Sequence, residues 1–263
     1  MRFLLHILAA LCLLSAAPAS ALEKLDASVA DEITVLADPS LAVPMARLAR
    51  RYGELYNVAV SASFNSSKDQ VQQIKDGQEG NVFITAKPAW MKLMQQEGLI
   101  DVYSRTTVAR NRLAVVAPLA RKTQVASLTE LALLMADEKH QDALFALGDP
   151  EYVSEGTYTL GALSHYKLSG DFEPHLSILK NSYQLKNTIA NYDAYGAIFL
   201  TDALLYPDIA RIETVDESAH EAITYQAAVI VGDRMDQASH FLNFLKNSEG
   251  QAIFKEYGFG GAY

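Results

Sequence analysis

Short apolar runs alternate along this chain with segments whose apolar residues recur every three or four positions, and that alternation constrains the fold class more than any other feature. The runs predict strands at Ile33–Ala37, Val58–Phe64, Asn81–Ala86, Leu113–Ala117, Leu144–Leu147, Gly196–Leu200 and Tyr225–Val231. Val58, Val60, Ala62 and Phe64 alternate with period two, whereas the other runs are nearly continuous, as in strands buried on both faces of a parallel sheet. Between them, Leu41, Met45, Leu48, Tyr52 and Leu55 fall on one helical face, as do Leu185, Thr188, Ile189 and Tyr192, and Ala238, Phe241, Leu242 and Leu245. Ser127-Leu-Thr-Glu130 is a capping box that opens a further helix. The expected class is α/β, with mostly parallel sheets flanked by helices.

The N-terminus reads as a cleaved secretory leader. Arg2 precedes an uncharged apolar run from Phe3 to Ala17, and the small-x-small triplet Ala19-Ser20-Ala21 predicts cleavage after Ala21 and export to the periplasm. The run is too short for a spanning helix. Cys12, the only cysteine, lies inside this leader, so the exported chain has no disulfide and depends on a large core. Roughly 240 remaining residues, half of the whole chain being hydrophobic, suffice for one large domain or two lobes. A formal charge of -9 argues against a nucleic-acid or anionic-membrane partner, and any anion has to be captured locally against the global field.

There is no repeat, low-complexity stretch or Gly/Pro/Ser-rich linker, which favours two interleaved lobes over two lobes in series. Leu113–Pro118 and Tyr225–Val231 are the candidate crossing strands, giving lobes of 22–112 with 229–263 and of 113–228. A ligand then sits between lobes, outside the strand ends where helix N-termini converge.

Two strand-to-helix turns carry hydroxyls, Asp38-Pro39-Ser40 and Asn65-Ser66-Ser67. A hydroxyl beside free N–H groups at a strand end suits an oxyanion. Ser40 and Ser67 also suit ordinary N-caps, and local sequence leaves both readings open. Catalytic patterns are missing: there is no G-x-S-x-G, H-E-x-x-H or P-loop. His140 and His220 lie among charged residues and read as solvated surface. No enzyme, cofactor or metal site is expected.

Seven stretches in this order carry a resemblance: ITVLADPSL from Ile33, SFNSS from Ser63, VFITAKPAWM from Val82, RNRLAVVAP from Arg110, LGDPEYVSEGTY from Leu147, GAIFLTDA from Gly196 and IFKEYGF from Ile253. Together they resemble the periplasmic molybdate-binding proteins, the substrate-binding components of ATP-driven oxyanion importers, over almost the whole exported length. The resemblance implies a two-lobed type II binding-protein fold that holds molybdate or tungstate with neutral donors, works as a monomer and delivers its ligand to an inner-membrane ABC permease. It implies hydroxyl and N–H donors at Ser40 and Ser67, and backbone N–H donors at Glu155 and Leu185. A tyrosine hydroxyl is implied where this chain has Phe199, and one lost bond to a charged ligand weakens binding by about 1.5–3 kcal/mol. Tyr195 and Tyr192 are the candidate replacements.

Three further departures border the cleft. Pro44 predicts that the helix after Ser40 starts late, leaving Ser40 outside its cap. The Asn191–Tyr195 connection is shorter than the pattern. Glu155 replaces a small residue at a helix start, where an outward carboxylate complements the dipole and is the expected arrangement. An inward carboxylate about 4 Å from a bound anion would oppose it by on the order of 4 kcal/mol at an effective dielectric near 20. It would instead favour a protonated oxyanion or an amine, so another anion or a small organic ligand, for transport or sensing, is the alternative reading.

Overall fold

The computed structural model describes residues 32–121 and 124–262; the expected leader lies outside them. Ten strands form two five-stranded sheets. In chain order they are β1 Glu32–Ala37, β2 Ala59–Phe64, β3 Val82–Thr85, β4 Thr106–Arg110, β5 Leu113–Pro118, β6 Leu144–Gly148, β7 Leu176–Leu179, β8 Ala194–Phe199, β9 Ile209–Thr214 and β10 Thr224–Val229. The helices are α1 Ala42–Tyr56, α2 Ser67–Lys75, α3 Pro88–Gln96, α4 Leu128–Ala136, α5 Ser154–His165, α6 Ser169–Phe172, α7 Ser182–Asn191, α8 Leu200–Leu205, α9 Met235–Lys246 and α10 Ser248–Glu256.

The first sheet has the order β2-β1-β3-β10-β4 and the second β7-β6-β8-β5-β9. In each, one strand runs against the rest: β10 is antiparallel to β3 and β4, and β5 to β8 and β9. The remaining pairs, β1 with β2 and β3 and β6 with β7 and β8, are parallel. The two strands expected to cross between lobes are these reversed ones. Each lies wholly in one sheet, so the crossings fall in the connections, at Asn111–Arg112 and between Thr214 and Thr224. The second crossing therefore precedes Thr224 and does not fall at the expected boundary of 229, because Thr224–Val229 is hydrogen-bonded along its length to β3 and β4.

Burial follows the sequence pattern. The β5 residues are buried throughout, as are those of β8. Helix α1 buries Met45, Leu48 and Tyr52 against the first sheet, and Tyr52 meets Phe241 and Phe244 of α9. Pro44 sits in the first turn of α1, where its missing N–H costs nothing. Ser40 lies before it, in a short 3-10 turn capped by Asp38. One glycine contact positions the second sheet's helix: a Cβ on Gly156 would stand 1.9 Å from the Gly148 carbonyl oxygen. Only glycine allows the first turn of α5 to approach the end of β6 so closely.

Candidate functional site

The ends of β1 and β3, the crossing at Asn111 and the starts of α2, α5, α7 and α8 bring polar side chains together in a buried layer between the sheets. The first-sheet side is built around Asp38. Its Oδ1 accepts from the Ser40 backbone N–H at 3.1 Å and from Ser40 Oγ at 2.7 Å. Since the Ser40 hydroxyl donates to Asp38, it accepts from the Tyr225 hydroxyl, 2.7 Å away. Asn111 Nδ2 donates to Tyr225 at 3.0 Å and to Thr201 Oγ1 at 2.9 Å. Across the cleft, Ser154 Oγ donates to the second oxygen of Asp38 at 2.6 Å. Ser67 Oγ pairs with Thr85 Oγ1 at 2.7 Å.

The second-sheet side is built around Glu155. It is 2% exposed and faces inward. Ser182 Oγ, in the first turn of α7, donates to Glu155 Oε1 at 2.9 Å. Behind it, Lys186 Nζ lies 3.2 Å from Asp202 Oδ1, both side chains almost fully buried, while Asp202 Oδ2 has no hydrogen-bond partner among the described residues. Four further contacts clasp the rim: Tyr158 hydroxyl to the Ala86 carbonyl at 2.5 Å, Lys87 to the Pro150 carbonyl, and Lys68 to Glu151 at 2.5 Å and to the Tyr152 hydroxyl at 3.0 Å.

Residues 33–260 match the family model described as bacterial extracellular solute-binding protein. The chain belongs to that family. It is 30% identical over 238 residues to the molybdate-binding protein ModA of Escherichia coli, covering 88% of this chain and 91% of that protein. The ModA of Haemophilus influenzae is 22% identical over 230 residues, covering 87% and 89%. The solved Azotobacter vinelandii periplasmic molybdate-binding protein superposes with a TM-score of 0.73 at 19% identity, covering 86% of this chain and 98% of its own. The fold is thus the two-lobed α/β fold of periplasmic binding proteins, and the relatives named here are molybdate-binding proteins. Among the described residues no helix is long and apolar enough to cross a membrane.

In this family member the five residues singled out from sequence fall differently. Ser40, Ser67 and Glu155 are all buried but bond different partners: Ser40 with Asp38 and Tyr225, Ser67 with Thr85 and Glu155 with Ser182. Ser67 is not the cap of α2; Ser66 accepts from the Asp69 N–H instead, which leaves Ser67 Oγ for Thr85 and the cleft. Leu185 supplies no free donor, because its N–H closes on the Asn181 carbonyl at 3.0 Å and its side chain is in the core of the second sheet. Asn181 Oδ1 also takes the Tyr183 and Gln184 N–H groups, so the start of α7 reaches the cleft through Ser182. Phe199 is fully buried, its ring about equally far from Tyr158 and Tyr225, and contributes no donor. The phenol in the cleft is Tyr225. Neither Tyr192, which is exposed, nor Tyr195, whose hydroxyl bonds Gln124, takes that place. Asp38, Asn111, Ser154, Ser182, Lys186, Thr201, Asp202 and Tyr225 were not among the residues singled out.

The electrostatics of the layer follow from burial. Burial pushes the Glu155 carboxyl up, Asp38 and Asp202 add to the rise and Lys186 opposes it, leaving it to titrate at about 7. Burial also raises Asp202, only partly offset by Lys186, in keeping with its unpartnered oxygen. Burial on its own lowers Lys186, but Asp202 and Glu155 outweigh it and hold the ammonium above the ordinary lysine value. The layer therefore has three acidic side chains, Asp38, Glu155 and Asp202, to two basic ones, Lys186 and, near Asp38, Lys87, and its hydroxyl donors already have acceptors. Among the described residues no group of His, Cys, Asp or Glu is arranged to hold a metal ion.

Proposed function

We propose that this protein is an exported, monomeric solute-binding component that closes two lobes on a small ligand and delivers it to an inner-membrane ABC permease. The lobes are residues 32–112 with 222–262 and residues 113–221, hinged at the two crossings. Molybdate and tungstate, the ligands the family resemblance brings forward, are disfavoured by one observation: Glu155 faces inward among the donors. Above about pH 7, where Glu155 is ionised, a fully deprotonated tetrahedral anion next to it meets like-charge opposition on the order of 4 kcal/mol at about 4 Å. A ligand that brings its own hydrogen-bond donor turns the same carboxylate into an acceptor. The reading is therefore a protonated oxyanion or an amine-bearing organic molecule, held at Ser40, Ser67 and Glu155 together with Ser154, Ser182 and Tyr225.

The test is a thermal-shift screen at pH 6 and pH 8 with molybdate, tungstate, sulfate, phosphate and small amines. A ligand at 100 times its dissociation constant adds about 2.7 kcal/mol of stability. Stabilisation by phosphate or an amine, with none by sulfate or molybdate, supports the reading. Strong stabilisation by molybdate at both pH values would overturn the ligand class while keeping the transport role.

A further inference from the structure

We propose that Asp38 and Glu155 occupy, from within the chain, the two donor sets suited to an oxyanion, and that the cleft therefore selects its ligand through a cationic group. This rests on the reading of the cleft as a solute site and narrows its ligand to a small organic ammonium or guanidinium compound.

Each side of the cleft spends hydroxyl donors on a carboxyl group of the chain. On the first, a backbone N–H and two hydroxyls from opposite sheets converge on one carboxylate: Ser40 N, Ser40 Oγ and Ser154 Oγ on Asp38. On the second, the Ser182 hydroxyl at the start of α7 donates to the Glu155 carboxyl at 2.9 Å. A backbone N–H with converging hydroxyls is what a tetrahedral anion asks of a protein, and here that set holds the Asp38 side chain, while the Ser182 hydroxyl holds Glu155, whose carboxyl ionises at about 7. A free oxyanion has to displace a carboxylate whose local concentration is fixed by the fold, and the displaced carboxylate stays in the cleft to repel it.

The charge count points the same way. The groups packed around Glu155 are Asp38, Asp202 and the one cation Lys186, and Lys186 is held by Asp202. Asp202 Oδ2, on a residue 4% exposed, has no partner among the described residues, so this carboxyl is only half satisfied by Lys186. Lys87, also buried and near enough to Asp38 to feel its charge, bonds the Pro150 carbonyl, so three carboxyl side chains face two ammonium groups, and the remaining acid is balanced by a cation and not by another anion.

The experiment uses the parent chain, Asp38→Asn, which keeps the cap and the side-chain volume, and an Asp38→Ala/Glu155→Gln double variant. Each is checked for folding by its urea midpoint. Calorimetric titrations with sulfate, molybdate and phosphate, and with ethanolamine, putrescine and methylguanidine, are run at pH 5.5, where Glu155 is mostly protonated, and at pH 8.

The expected result is that at least one of the amines binds the parent, more tightly at pH 8 than at pH 5.5. Asp38→Asn should weaken it about tenfold or more. Sulfate and molybdate should bind the parent more weakly than about 1 mM, and the double variant should gain about 100-fold for molybdate. Micromolar molybdate binding by the parent, unchanged in the double variant, would overturn the proposal. Phosphate binding to the parent at pH 5.5 with no response to any of the three amines overturns the cationic selection and leaves the solute-binding role intact. No binding of any probe to parent or variants overturns the solute-site reading itself.

Discussion

Replacing Glu155 by Gln should make the protein more stable at pH 8 and leave it nearly unchanged at pH 5. The carboxyl titrates at about 7 in the fold, against 4.5 in its ordinary state, because it is buried beside Asp38 and Asp202. Its folded pKa is raised, so between about 4.5 and 7 the native state holds a proton that the unfolded chain has released. Stability is then greatest below the ordinary carboxyl range and falls as pH rises through the window, by about 1.4 kcal/mol per pH unit at its steepest. Integrated over the window, the loss is about 3 kcal/mol. For a chain of this size that corresponds to roughly 6–12 °C in Tm.

The amide cannot ionise, yet it keeps an oxygen for the Ser182 hydroxyl, so the variant should lose most of this slope. Asp202, also raised by burial, adds a slope of the same sign that both proteins share. Urea unfolding at half-unit steps from pH 5 to pH 8 measures both proteins. Parent stability that is flat or rising across this range, or a Gln variant with the parent's slope, would show that Glu155 is not held buried as an acid.

Three other substitutions separate structure from binding. Ser66→Ala should cost about 1 kcal/mol of stability without changing ligand affinity, because Ser66 caps α2, whereas Ser67→Ala should weaken binding of the cognate ligand by about tenfold or more; unfolding and titration of both variants check the contrast. Lys186→Met should destabilise by about 3–5 kcal/mol by leaving Asp202 buried without its cation, and the Lys186→Met/Asp202→Leu double variant should recover most of that in urea unfolding. Phe199→Tyr should lower stability by about 1–3 kcal/mol, since its fully buried ring lies in the Tyr158–Tyr225 cluster, and calorimetry should show no gain in molybdate affinity.

The strands that sequence reading recovered and those it missed differ in one physical respect. Central strands such as β5 and β8 are buried on both faces and read as continuous apolar runs. The three missed strands, β4, β7 and β9, each form an edge of a sheet. One face and one backbone edge of such a strand are solvated, so TTVAR, LSIL and IARIET carry Thr, Ser, Arg and Glu that break the run. The fourth edge strand, β2, was legible because its period-two pattern survived. The crossings were located only to within a few residues for a related reason: an apolar run marks a buried strand but does not say in which sheet it is buried.

The site was less legible than the fold because its decisive hydrogen bonds join residues far apart in the chain. Within Asp38-Pro39-Ser40, a carboxylate that caps a turn and one that fills a ligand's donor set make the same local bond, from the Ser40 N–H to Asp38 Oδ1. They differ in what the remaining groups meet, and those partners, Ser154 and Tyr225, are 116 and 185 positions away from Asp38 and Ser40 respectively. The direction of Glu155 is likewise not a property of the helix start that carries it. A helix-start acid can satisfy the dipole facing water or facing inward; here the Gly148–Gly156 approach seats the first turn of α5 against β6, and Ser182 from another helix receives the carboxylate. Once that turn is docked, the side chain that would have decorated the surface becomes the group that a bound solute has to satisfy.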